Sequence, residues 1–368
     1  MPDIILKDFD LTPSHVEKLQ AMVKSWTQPV AIIIAQIDPD GTACGKLAKA
    51  VYEHLGAEVA GVYYAGAVGH RQNEAIFENF NLATEIFPIE KMPTDCLQVL
   101  VDSSKLADDS RLKDTGYRLD RVVGVYDHHP NAKPTGANGI ERVFWNAPCS
   151  AATTLLWILA QKTGTPINQE LATLAAIGIY EDSSRLASEH VKEVDIESFC
   201  QARKLGSTEL FFKCCRFRFS KRSRTFLAEI LLNCEDIGPY QIAHPSSHLD
   251  DEDGDDISTF ADHLHRYEGS HTTIVWGLCG EWLRFSIRSD STGIADLLAD
   301  LCGREMSGAK HGSGGGRFHL PTALIPTDDD GAEKFIAFFR AQCIAKLKER
   351  VGKTKEAAKA SDSKKAPA

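Results

Sequence analysis

"PVAIIIAQIDPDGTACG", residues 29–45, decides how this chain reads. The apolar run from Val30 to Ala35 suits a strand buried on both faces, as in a parallel sheet covered by helices. Two aspartates, Asp38 and Asp40, and then Gly41 follow it almost at once. Asp bonds its own backbone readily and Gly accepts positive φ, so a plain strand-to-helix turn is one reading. A pair of oxygen ligands for a divalent cation is the other.

Working outward, the first half of the chain repeats this strand-then-helix rhythm. "VAIIIAQ" (30–36), "EVAGVYY" (58–64), "LQVLVD" (97–102) and "RVVGVYD" (121–127) read as strands. "ACGKLAKAVYEHLG" (43–56), closed by Gly56, and "RQNEAIFENF" (71–80) read as helices. Residues 150 to about 234 carry a helical pattern. The expectation is an α/β protein, its N-terminal domain a doubly wound, mostly parallel sheet. Further on, "TTIVWGLCG" (272–280) and "EWLRFSIRS" (281–289) read as paired strands, and "GIADLLADLCG" (293–303) and "EKFIAFFRAQCIAKLKERV" (333–351) as helices. This sets the expected domains: 1–235, an acidic linker 236–258, a second, smaller α/β domain 259–351, and a flexible tail 352–368.

Composition narrows the function. With 368 residues, two domains are expected. Hydrophobic residues make up 43% and charged residues 25%, an ordinary globular balance. A net charge of −10 argues against a long basic nucleic-acid groove while leaving room for a local patch. "MPDIILKDFDLTP" is no signal peptide, and no apolar run reaches the ~18 residues of a membrane span, so a cytoplasmic protein without membrane attachment is expected. The 10 cysteines form no C-x-x-C pair, which speaks against a zinc ribbon or redox motif and for reduced, buried thiols.

Ligands of open parallel sheets sit at the carboxyl ends of strands. Asp38 and Asp40 follow the first long strand, Asp102 closes "LQVLVD", and Asp127, His128 and His129 close the next. Asp182 ends an apolar helical stretch that can return it to the same edge. Carboxylates with one or two imidazoles suit Mn²⁺ or Mg²⁺ better than structural zinc. Two such ions about 3.5–4 Å apart can activate water and clamp a phosphoryl oxygen.

At this point the motifs resemble those of the DHH phosphoesterases, which include RecJ-type exonucleases, nanoRNases and cyclic-dinucleotide phosphodiesterases. "IDPDG" is similar to the first motif, "VD" (101–102) to the second, "DHHP" (127–130) to the third and "GIYED" (178–182) to the fourth, in the family's order. "RFSIRS" (284–289) followed by "HGSGGGRFH" (311–319) resembles the DHH-associated C-terminal domain. The resemblance implies a metal-dependent phosphodiesterase acting on a small nucleotide or a short single-stranded oligonucleotide, with two Mn²⁺ or Mg²⁺ ions. It implies Asp38, Asp40, Asp102, His128 and Asp182 as metal ligands and Asp102, His128 and His129 as the catalytic group, with Asp127 supporting a ligand. Arg288, Ser289, the loop Gly314, Gly315 and Gly316, Arg317 and His319 would contact substrate. A homodimer is left open.

The chain departs from the family in three places. Gln36 stands where much of the family has histidine, Thr42 stands where it has a second aspartate, a carboxylate that Asp38 would supply as in the RecJ-type pattern, and "GGGR" replaces "GGGH". Two rival readings follow: a hydrolase of polyphosphate-type phosphoanhydrides, and a nucleotide sensor that no longer cleaves. "HRQN" (70–73) is either a plain helix start or a polar group near substrate.

Overall fold

The computed structural model describes residues 3–103, 112, 115–129, 141–188, 190–250, 254, 256–267, 271–290, 297, 301 and 313–363. The chain divides into two compact units, Met1–Phe217 and Arg218–Ala368.

The first unit contains strands β1 (Ile4–Leu6), β2 (Val30–Ile34), β3 (Val59–Tyr64), β4 (Ile86–Pro88), β5 (Leu97–Val101), β6 (Val122–Asp127) and β7 (Val143–Asn146). Its helices are α1 (Pro13–Ser25), α2 (Pro39–Leu55), α3 (Arg71–Asn79), α4 (Ala152–Thr163), α5 (Gln169–Asp182), α6 (Glu193–Leu205) and α7 (Thr208–Cys215). The strands pair in the order β1-β7-β6-β5-β2-β3-β4, every pair parallel. The expected sheet is therefore present. Alternate residues of β2 enter different cores: Val30, Ile32 and Ile34 pack on one face, Ala31 and Ile33 on the other. Burial on both faces is why the strand reads as a continuous apolar run. The chain winds from β2 toward β3 and β4 on one side, while β5 and β6 lie on the other. The junction of β2 and β5 is thus a topological switch point, where the strand ends leave a crevice.

The second unit contains α8 (Lys221–Leu232), β8 (Glu235–Ile237), β9 (Tyr240–Ala243), α9 (Asp256–Leu264), β10 (Thr272–Cys279), β11 (Trp282–Ser289), β12 (Ser313–His319) and α10 (Asp329–Ser363). The sheet order is β12-β11-β10-β9-β8, with only β9 and β10 parallel. Gly280, at φ +55°, opens the two-residue turn between β10 and β11, as the paired-strand reading requires.

Three expectations change. The segment read as an acidic linker, 236–258, contains most of β8, all of β9 and the start of α9. β8 and β9 are only three and four residues long and carry Glu235, Asp236 and Gln241, too short and too polar to show a strand pattern beside an acidic run. The segment read as a tail from 352 is helical to Ser363, because "KTKEAAKA" is rich in strong helix formers. The glycine run read as a loop is strand β12, with Gly314, Gly315 and Gly316 opposite Ile287, Ser286 and Phe285. A Cβ at Gly315 would stand 2.7 Å from the Phe285 carbonyl oxygen, so the glycine serves strand approach. Of the helix expected over 293–303, Leu297 and Leu301 are described, both helical and buried; the rest lies outside the described residues.

Candidate metal centre

The acids at the carboxyl edge are placed by local backbone rules. Asp38 is the N-cap of α2: its Oδ1 accepts the Gly41 N–H at 2.7 Å. The helix begins at Pro39, four residues earlier than its sequence pattern suggests, and this sets Asp40 in the first turn facing inward. Gly41 has no room for a side chain, since a Cβ would lie 2.7 Å from the Gln36 carbonyl oxygen and 2.8 Å from Ile34 Cγ2.

Asp40 does more than the sequence reading assigned to it. The N-cap of α4 is Ala151, which offers no side-chain cap. Asp40 supplies the cap from another helix: Oδ2 accepts the Ala152 N–H at 2.8 Å and Oδ1 the Thr153 N–H at 2.9 Å. The carboxylate is 1% exposed. A buried anion at a helix N-terminus is favoured by the backbone donors and by the dipole.

Asp102 follows β5 with φ +53°, a left-handed conformation that Asp tolerates better than most residues. Its N–H still bonds the Tyr126 carbonyl at 2.8 Å, so the turn swings the carboxylate sideways without leaving the sheet. Asp102 Oδ1 is buried and takes no hydrogen bond; it faces His128 Nε2 at 3.4 Å. His128 is aimed from behind, with Nδ1 3.3 Å from the Cys149 carbonyl oxygen. Asp127 Oδ1 collects the N–H groups of His128 and His129, at 2.9 and 3.3 Å, and His129 Nδ1 at 2.7 Å. That one carboxylate fixes the whole turn at the end of β6.

Asp182 arrives at the C-terminus of α5, its Oδ2 3.3 Å from His128 Nε2. The approach depends on Gly178, one turn earlier. A Cβ there would meet Thr153 Oγ1 at 2.8 Å, Ala43 Cβ at 2.9 Å and the Pro39 carbonyl oxygen at 3.1 Å.

The structure therefore brings together Asp40, Asp102, His128 and Asp182, with His128 Nε2 3.9 Å from Asp40 Oδ2. Two sets each offer three ligand atoms within 4.8 Å of one another: Asp40, His128 and Asp182; and Asp102, His128 and His129. Asp38 lies in the same field of charge. Burial and then the charges of Asp102, Asp182 and Asp40 push its carboxyl well above the usual range. Burial, followed by Asp102 and Asp182, pushes Asp40 up to about 8. Partial desolvation at the crowded edge, opposed by His128 and reinforced by Asp102, lifts Asp182, whose side chain is 37% exposed, to about 6. For His128 burial works against the cation, but the Asp102 carboxylate 3.4 Å away and the charges of Asp182 and Asp40 raise it well above its ordinary value. His129 is raised too, burial being outweighed by Asp127 and Asp102.

A divalent cation fits this donor set. Crowded acids that resist ionisation, with an orphaned buried carboxylate oxygen among them, are what a cation relieves. Oxygen ligands with one or two imidazoles match Mn²⁺ or Mg²⁺. Gln36 is exposed at the end of β2.

The residues expected to contact substrate in the second unit are arranged differently. Arg288 uses its five N–H groups inside the fold, on both carboxylate oxygens of Asp262, Ser286 Oγ and the carbonyls of Ile287 and Ser258. It clamps β11 to α9 and has no donor left for a phosphate. Ser289 Oγ is buried against Thr272 Oγ1 at 2.7 Å. His319 Nε2 meets Glu281 Oε2 at 2.8 Å. The Arg317 side chain and His311 lie outside the described residues.

Sequence reading missed the loop before α4. Cys149 orients His128, and Ser150 and Thr154 tie the loop to buried Asp195 through a Ser150 N–H bond of 3.0 Å and a Thr154 hydroxyl bond of 2.6 Å. The sequence did not point to it, because Ser150 stands where a cap would be read although the N-cap proves to be Ala151. "HRQN" proves to be a helix start capped by His70. Its Asn73 also donates to the Ile37 carbonyl at 2.9 Å, bracing the turn that carries Asp38.

No family model matches the chain. An uncharacterized protein of Methanocaldococcus jannaschii is 23% identical over 277 residues, which is 74% of this chain and 54% of that protein. The A-adding tRNA nucleotidyltransferase of Aquifex aeolicus is 39% identical over 103 residues, 27% of this chain and 11% of that enzyme. The match thus spans about half the length of the first relative and a small part of the second. Among solved structures, an exopolyphosphatase-related protein from Bacteroides fragilis superposes with a TM-score of 0.66 at 14% identity, over 93% of this chain and 98% of that one. The two share their fold.

Proposed function

We propose that this chain, in which four ordered motifs of the DHH phosphoesterases meet at one sheet edge, is a metal-dependent phosphodiesterase. Its substrates are small nucleotides or short oligonucleotides. The observation that carries the reading is the convergence of Asp40, Asp102, His128 and Asp182 on one point, with Asp102 Oδ1 buried and unbonded.

Asp102 would be the carboxylate shared between two positions, since its unbonded Oδ1 lies 3.4 Å from His128 Nε2 and 3.9 Å from His129 Nδ1. Asp40, His128 and Asp182 would complete one position, and Asp38 and His129 border the other. Mn²⁺ or Mg²⁺ bound there would acidify a water and offset charge developing on the phosphoryl oxygens. The chain's own groups do the remaining work. Asp127 and Cys149 hold both imidazoles in place, so no reorganisation accompanies reaction. The side chain of His129 is 54% exposed, and its Nε2 is the end of the ring not engaged with Asp127. It would hold a proton there, facing substrate, and pass it to the leaving oxygen.

The test is hydrolysis by the full chain with Mn²⁺ against dinucleotides, cyclic dinucleotides, nucleoside bisphosphates and polyphosphate. Cleavage of a phosphodiester, abolished by Asp102→Ala, supports the reading. Cleavage of polyphosphate alone would favour phosphoanhydride hydrolysis, the reading suggested by the exopolyphosphatase-related neighbour. Nucleotide binding without cleavage of anything in the panel would leave the sensor.

A further inference from the structure

The second unit opens on "RFSKRSR", residues 218–224, with four cations in seven residues and no acid, in a chain of net charge −10. Arg222 is neutralised by Asp250 and lies over the Phe226 ring. Arg218, Lys221 and Arg224 are exposed, and no described acid pairs with them. The helix they lead into makes this unfavourable. Lys221, Arg222 and Arg224 occupy the first turn of α8, which has no acid, so cations stand at the positive end of the dipole. Lys221 and Arg224, three apart, also repel each other. Nothing within the described fold offsets this arrangement, but a polyanion would.

The same residues border a cavity of about 280 Å³ lined by Phe219, Lys221, Arg224, Leu227 and Phe260. Phe219 is 44% exposed, with its ring centroid 6.4 Å from that of buried Phe260. A cavity this small, near the ~300 Å³ lower end of ligand pockets, suits one flat ring system. An exposed aromatic between two unpaired cations is the arrangement by which proteins hold single strands, stacking a base while cations track the backbone.

We propose that the groove at the start of α8 binds single-stranded nucleic acid, stacking one base on Phe219 and placing the flanking phosphates on Lys221 and Arg224. This surface belongs to the second unit and the metal centre to the first, and the binding does not depend on hydrolysis.

The experiment is fluorescence anisotropy of a labelled five-nucleotide single strand on the full chain in EDTA. An abasic strand of equal length and inorganic polyphosphate serve as competitors. Lys221→Glu with Arg224→Glu should weaken binding roughly tenfold or more and flatten the slope of log K against log salt by about 1.4, the value for two lost phosphate contacts. Glutamate suits a first helical turn, so this variant keeps its fold. Phe219→Ala should cost roughly 5- to 100-fold for the natural strand and nothing for the abasic one. Unchanged affinity in both variants, or no binding by the unmodified chain, overturns the proposal. So does competition by polyphosphate or abasic strand as effective as by the natural strand, which would mark a plain anion site. A small chromogenic phosphodiester, with no nucleobase to stack on Phe219 and no flanking phosphates, should be hydrolysed equally by all variants, so failure of the groove and failure of the metal centre give different results.

Discussion

Asp40 and Asp182 face the same imidazole, yet removing each should have opposite effects on the metal-free protein. Asp40→Ala takes the acceptor from two buried N–H groups, Ala152 and Thr153, at the start of a helix with no cap of its own. A stranded buried donor costs ~1–3 kcal/mol. Two of them, less the repulsion relieved among the remaining acids, give a net loss of about 2–4 kcal/mol. For a unit this size 1 kcal/mol moves Tm by ~2–4 °C, so the first-unit transition should fall by roughly 4–16 °C. Asp40→Asn keeps one acceptor oxygen and should lose about half as much. Asp182→Asn gives up no cap, relieves charge crowding, and should melt at or above the unmodified temperature. The assay is calorimetry in EDTA near pH 7.5, with Mn²⁺ binding followed in parallel. Both substitutions should impair Mn²⁺ binding and hydrolysis. The reasoning is refuted if Asp40→Ala melts no lower than Asp182→Asn in EDTA.

Other outcomes follow from the same geometry. Gly178→Ala should push α5 off α2 and α4, cost ~1–3 kcal/mol as an overpacked contact, and raise the Mn²⁺ needed for half-maximal activity; an unchanged metal requirement would show that Asp182 is not placed by this contact. The raised carboxyls of Asp40 (about 8) and Asp182 (about 6) set the pH dependence of the metal-free protein. A group whose folded pKa is raised stabilises most below its unfolded value near 4, and that stability is lost as pH climbs through the folded value. The melting temperature in EDTA should therefore decline between pH 5 and about 8.5, while the stabilisation by added Mn²⁺ grows over the same window; a flat or rising EDTA profile contradicts the assignment. Arg288→Ala should lower the second unit's stability while leaving KM for a dinucleotide unchanged, since the side chain is fully bonded within the fold; a KM effect at unchanged stability would return it to the substrate site. Chains of two to five nucleotides should be cleaved faster than long strands, because the net charge of −10 gives no extended electrostatic track; equal rates would point to a longer contact surface.

The sequence by itself determined the parallel sheet and the edge where chemistry gathers. Both rest on short-range rules: β2 and β5 are apolar throughout because both faces are buried, and the acids that follow each strand end can only emerge at the carboxyl edge. What each acid does there was decided by tertiary structure. Asp38 and Asp40 look interchangeable in "DPDG", but a helix starting at Pro39 makes one its N-cap and turns the other toward α4, a helix more than a hundred residues later in the chain. Gly178 reads as an ordinary helix-weakening residue until α2 and α4 are seen to leave no room for a Cβ. Arg288 and the glycines of 314–316 read as a phosphate clamp because motif spacing cannot say which donors the fold itself uses. Hydrogen bonds between distant segments leave no periodicity in a sequence, so their ownership appears only once the chain is folded.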